Sequence, residues 1–144
     1  MSQENVELWR ETIEDFRACR SEADWEGWLT RTSGLWDPHI EWDVSAAEVP
    51  DMDEGGIYRG KDAVRRFWRA WLAAWETLDF EYELIDAGDR VLLLLNQRMR
   101  GRSTGLEVPM GQYAQVATFR SGLMVRWKLY MNHAQALKAV GLEE

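Results

Sequence analysis

The chain has 144 residues, a formal net charge of -8 and a single cysteine. That length gives the expectation of one domain over residues 1–144, and the acidic balance repels phosphate backbones and excludes nucleic acid as a partner. A charged fraction of 29% with 46% hydrophobic residues, and no stretch approaching the roughly 18 apolar residues of a membrane span, exclude both a disordered chain and insertion into a membrane.

Met1 to Arg10 is acidic and polar without an apolar h-region, and Cys19 has no second cysteine to pair with. Both fit a reducing, cytoplasmic setting. Nine tryptophans demand either an oversized aromatic core or an aromatic-lined cavity.

Ser2 is placed to cap a first helix, in which Val6, Trp9, Ile13, Phe16 and Cys19 recur at steps of three and four. A second helix is expected from Ala23 to Thr32 with Trp25, Trp28 and Leu29 as its apolar stripe, ended by Ser33-Gly34. After the break at Asp37-Pro38, Ile40 to Val44 reads as a strand. The polar segment from Ala46 to Gly56 reads as a loop that could serve as a lid. From Lys61 onward Ala63, Val64, Phe67, Trp68, Trp71, Leu72 and Trp75 form one face of a long amphipathic helix.

The period then changes to two, with strands expected at Phe80 to Ile85, Arg90 to Arg100, Leu106 to Phe119 and Leu123 to Asn132. Ala87-Gly88-Asp89, Arg102-Ser103-Thr104-Gly105 and Ser121-Gly122 are the turns between them, short enough to make antiparallel neighbours. Arg98, Arg100 and Arg102 alternate along a strand and read as its solvated face. A closing helix from Ala134 to Val140 stops at Gly141. Helices first, then one strand, a long aromatic helix and a meander give an α+β fold in which a curved antiparallel sheet wraps around helices as a cone.

Four segments then carry a family resemblance: Asp37-Pro38-His39-Ile40-Glu41-Trp42; Tyr58-Arg59-Gly60-Lys61-Asp62-Ala63-Val64; Asp86-Ala87-Gly88-Asp89-Arg90-Val91; and Tyr130 to Leu137. In this order and spacing the chain resembles the SnoaL-like, polyketide cyclase-like branch of the nuclear transport factor 2-like superfamily over nearly its whole length. The resemblance implies a cone with a mostly apolar pocket for a small apolar or aromatic molecule. It also implies homodimerisation through the outer face of the sheet, where Tyr130 would be buried. The family hosts isomerases, dehydratases, cyclases and non-enzymes, so the fold alone does not choose among them.

Carried over residue by residue, the ketosteroid isomerase pattern puts the general base on Asp43, the oxyanion-stabilising tyrosine on Phe16 and its protonated aspartate partner on Gln115. Gln115 keeps a hydrogen-bond donor; Phe16 does not. The limonene epoxide hydrolase pattern falls on Leu95, Gln97 and Leu129, none with the required chemistry, and the last-strand aspartate of the cyclases meets Leu129 or Asn132. By strand alternation Asp43 opposes Ile40, Trp42 and Val44, so it faces a pocket only if the strand ends or bulges there. Gln97, Tyr113 and Gln115 share the parity of Leu93, Leu95, Ala117 and Phe119, an inward row of amides and a phenol that needs partners or a ligand.

Tyr58 suits either the pocket mouth or packing beneath the loop. Trp42, Trp68, Trp71 and Trp127 complete the expected aromatic lining. His39 and His133 stand 94 positions apart and read as solvated or capping residues. No metal-ligand or nucleotide-cradling spacing is present, so neither a metal nor another cofactor is expected. The readings left open are a pocket protein with cofactor-free acid–base chemistry, a non-catalytic binding module, and a structural dimer whose cone is filled by its own tryptophans.

Overall fold

Apolar side chains at helical spacing make the N-terminal segment a helix, α1 (Ser2–Ala18), which buries Val6, Trp9 and Ile13. The computed structural model describes residues 2–47, 56–73, 75–101, 107–111 and 113–142. Among these, the side chains of residues 2, 75–78, 97, 99–101 and 107–111 are outside the description. The second helix, α2 (Glu22–Ser33), starts where the Ser21 hydroxyl accepts from the Asp24 backbone N–H at 3.2 Å, satisfying one of the first-turn donors. A two-pronged pairing of Arg31 with Asp15, at 2.7 and 2.8 Å, ties α2 to α1 at the surface.

Strand β1 (Trp36–Asp43) is followed by a turn of 3-10 helix at Ser45–Ala47 and by a short strand, β2 (Ile57–Arg59). Helix α3 (Lys61–Ala73) buries Val64, Trp68 and Leu72. The strands β3 (Trp75–Ala87), β4 (Arg90–Gly101), β5 (Glu107–Gly111), β6 (Ala114–Arg120) and β7 (Leu123–Tyr130) then lead to helix α4 (His133–Ala139). Asn132 caps α4, its Oδ1 accepting from the Gln135 backbone N–H at 2.8 Å.

The strands form one seven-stranded sheet in the order β2-β1-β7-β6-β4-β3, with β5 paired to β4. Most neighbours are antiparallel, as the short turns require, but β1 runs parallel to β7, with Trp42 beside Trp127 and Asp43 beside Lys128. The sheet is therefore mixed. Helices α1 and α3 pack on its inner face with α2 against both of them, and α4 covers an outer apolar patch of Leu92, Ala114 and Val116 with Ala136 and Val140.

Several sequence expectations need correction. Trp75 does not continue the apolar face of α3; the helix ends at Ala73 and Trp75 opens β3, opposite Gly101. Pro38 does not precede the strand but lies within β1, where the pairing with β7 shifts register between Trp36 and Glu41. Such an irregularity is where a strand tolerates a residue with no N–H. The expected strand from Leu106 to Phe119 is two strands, because the register against β4 shifts between Gln97 and Arg98, where Gly111 and Pro109 face them. Of the loop from Ala46 to Gly56 read as a lid, Ala46 and Ala47 belong to the 3-10 turn, and residues 48–55 lie outside the described ones.

Candidate functional site

The inner face of the cone encloses a cavity of about 420 Å³, within the range of small-molecule sites. From α1 come Trp9, Thr12, Ile13 and Phe16, one turn apart on a single face. From α2 come Trp28 and Thr32, and from α3 Phe67, Trp68 and Trp71. The sheet supplies Trp36 and Trp42 from β1, Phe80, Leu93 and Leu95 from β3 and β4, Gln115 from β6, and Met124, Trp127 and Leu129 from β7. Tyr113 lies between β5 and β6, where its carbonyl accepts from the Leu95 N–H at 2.9 Å. Met131 both lines the cavity and is 43% exposed, so the cavity reaches the surface there.

Strand pairing creates the aromatic wall. Trp42 and Trp127 are register partners across the parallel pair, and their rings lie 4.3 Å apart. Trp68 descends from α3 onto both, at 5.6 Å from Trp42 and 5.2 Å from Trp127, and Trp9 and Trp36 flank Trp127 at 6.4 and 6.2 Å. These indoles form a wall beside the cavity and do not fill it.

Polar groups in this wall are few. Thr12 donates to the Trp9 carbonyl and receives the Trp28 indole N–H on its own carbonyl, both at 2.9 Å. Gln115 is 7% exposed, and its Oε1 accepts from Trp127 Nε1 at 2.8 Å. The ring nitrogens of Trp42 and Trp68 are buried donors with no hydrogen-bond partner among the described residues, each unmade bond costing about 1–3 kcal/mol. Burial pushes the Tyr113 phenol well above its ordinary range, so it stays protonated. Among the described residues, no Asp, Glu, His, Lys, Arg or Cys lines the cavity.

The structure brings Phe16, Trp42, Trp68, Trp71, Leu95, Tyr113, Gln115, Trp127 and Leu129 into this lining. Asp43, selected from the sequence as a general base, is not part of it. Simple alternation holds through the end of β1: Ile40, Trp42 and Val44 are buried inward, while the Asp43 carboxylate turns away. Its Oδ1 accepts from Ser45 N–H at 3.0 Å and Ser45 Oγ at 2.6 Å, and Lys128 Nζ stands 3.9 Å from Oδ2. Tyr58 is buried behind the cavity, its ring 5.0 Å from that of Phe67. Gln97 lies on β4, and its side chain is outside those described.

Sequence reasoning named neither Trp36 nor the α1 and α2 residues other than Phe16 as lining. The apolar spacing of α1 was a usable signal, whereas Trp36 was hidden by reading Pro38 as a break. His133 is more than a helix-start residue, since its Nε2 lies 3.1 Å from the Leu95 carbonyl. No helix among the described residues is long and apolar enough to cross a membrane.

Comparison with known proteins agrees with this geometry. The SnoaL-like domain model matches residues 13–127. No curated protein sequence matches the chain. Among solved structures, a nuclear transport factor 2-like protein of unknown function from Burkholderia pseudomallei superposes with a TM-score of 0.69 at 19% identity, covering 94% of this chain and 96% of that one. TerC, co-crystallised with polyporic acid, gives a TM-score of 0.67 at 19% identity over 95% and 98% of the two chains. A putative SnoaL-like polyketide cyclase from Mesorhizobium loti gives 0.56 at 16% identity over 86% and 96%. With a helical cone, a mixed sheet and a family match spanning most of its length, the chain belongs to the SnoaL-like domain family.

Proposed function

We propose that the protein binds a small, uncharged, largely aromatic molecule in the cone and holds an acceptor oxygen of that molecule against the amide of Gln115. The observation that carries this reading is a cavity of about 420 Å³ walled by indoles, in which the buried amide of Gln115 is one of the few polar groups placed to orient a guest. An ionised ligand would lose its hydration there with no described side chain of opposite charge to pair it. The crystallisation of TerC with polyporic acid supports treating the same fold as a small-molecule site.

Binding is the core of the reading. The acid–base chemistry expected at Asp43 needs a carboxylate at the cavity, and among the described residues none lines it. The reading also includes a homodimer through the outer sheet face around Tyr130; sedimentation as a clean monomer at micromolar concentration removes that part.

Titration with a panel of apolar aromatic compounds tests the binding. A ligand in the cone quenches indole emission and raises the melting temperature, the stabilisation reaching about 2.7 kcal/mol at a free concentration of 100 Kd. Trp127→Phe diminishes the quenching. A panel that leaves both emission and melting unchanged contradicts the proposal.

A further inference from the structure

If a ligand occupies the cone, as the binding reading above has it, the sense of the Gln115 amide decides which end of that amide the ligand meets. An indole N–H is a donor only, so the 2.8 Å contact between Trp127 Nε1 and Gln115 can be made only by the amide oxygen. That contact settles the sense of an amide which could otherwise flip. Nε2, the other arm, makes no hydrogen bond to another described residue; the residue is only 7% exposed and lines the cavity, and Nε2 is not among the donors sealed from solvent without a partner, which are the ring nitrogens of Trp42 and Trp68.

Trp127 itself cannot turn to relax this choice. Its indole forms a tight triangle with Trp42 at 4.3 Å and Trp68 at 5.2 Å, the latter stacked at 19°, while those two rings lie 5.6 Å from each other. Trp9 and Trp36 close two further sides. Rotating the ring would require repacking the whole indole wall.

We infer that Trp127 is a specificity-setting positioning residue: by holding Gln115 Oε1, it makes the amide present a donor to the cavity, so the site selects ligands bearing a hydrogen-bond acceptor over shape-matched ligands bearing a donor. A polar group built to meet one kind of partner rejects the other because the mismatch leaves buried groups unpaired.

Three planar probes of nearly one shape separate the alternatives: 9-fluorenone carries an acceptor, carbazole a donor and fluorene neither. Equilibrium dialysis gives their affinities for the wild type, for Gln115→Leu and for Trp127→Phe, with Trp127→Met in place of the last should it not fold. In the wild type fluorenone binds more tightly than carbazole. Gln115→Leu lowers the fluorenone-to-fluorene affinity ratio about fivefold, the worth of one net hydrogen bond. Trp127→Phe frees the amide and raises the carbazole-to-fluorenone ratio about threefold or more, a change that a mere loss of packing does not produce because it acts on all three probes alike.

If fluorene binds every variant and neither ratio moves, the inference is overturned while the binding reading stands. A ratio that responds to Gln115→Leu but not to the Trp127 variant removes Trp127 from the role. Failure of all three probes to bind the wild type overturns the binding reading itself, and this inference with it.

Discussion

Asp43 shows how one residue can satisfy a pattern and still have another task. Its carboxylate accepts two hydrogen bonds from Ser45 and thereby fixes the chain as it leaves β1 for the 3-10 turn. Asp43→Ala leaves the Ser45 N–H without that acceptor, and the expected cost is about 1 kcal/mol in denaturant unfolding, with ligand affinity unchanged. A large loss of affinity with unchanged stability would return Asp43 to the site. Cys19 is a second such residue. Its Sγ lies 3.3 Å from the Asp15 carbonyl and 3.5 Å from that of Asp24. Burial, with the Asp15 and Asp24 carboxylates nearby, pushes the thiol from 9.0 up to about 11. The folded state thus holds this proton where the unfolded state has lost it. The corresponding stability is present below about pH 9 and falls as the pH rises towards 11. Unfolding curves across that window should be flatter for Cys19→Ala than for wild type; identical slopes would contradict the assignment.

Among the elements, the β6–β7 hairpin is the one whose local chemistry is most visible in the sequence. Arg120 pairs with Leu123, and the two residues between them, Ser121 and Gly122, have φ of 54° and 79°, the left-handed pair that a two-residue turn needs. Gly122→Ala should cost about 1 kcal/mol, and Ser121→Asn should be neutral or slightly stabilising, read from melting temperatures. Helix α3 and the β3–β4 hairpin were equally legible, because a strong 3.6-residue period and the Gly88-Asp89 turn leave little choice. The less legible features are those set across the sheet. Where α3 yields to β3 at Trp75 depends on pairing with Gly101, and the interruption between β5 and β6 depends on a bulge against β4. Trp75 gives no signal of its own, since it fits the apolar face of a helix as well as it fits a strand, whereas Pro109 and Gly111 were a usable signal for the interruption between β5 and β6.

At the scale of the whole molecule, the abundance of tryptophan indicated an aromatic interior but could not distinguish a filled cone from a hollow one. That choice rests on long-range register: the parallel pairing of β1 with β7 brings Trp42 against Trp127, and α3 lays Trp68 on both. Inward parity of Tyr113 and Gln115 was readable from alternation; the hydrogen bond that orients Gln115 was not, because its partner comes from a neighbouring strand. The proposed occupation of this hollow by a small aromatic guest is tested most directly by a two-dimensional nitrogen–proton NMR spectrum of the indole N–H groups during titration with 9-fluorenone. Trp42, Trp68 and Trp127 line the cavity and Trp25 does not, so binding in the cone gives saturable shifts at the first three and an unmoved Trp25 signal. A titration that leaves the first three in place, or that moves Trp25 alone, contradicts it.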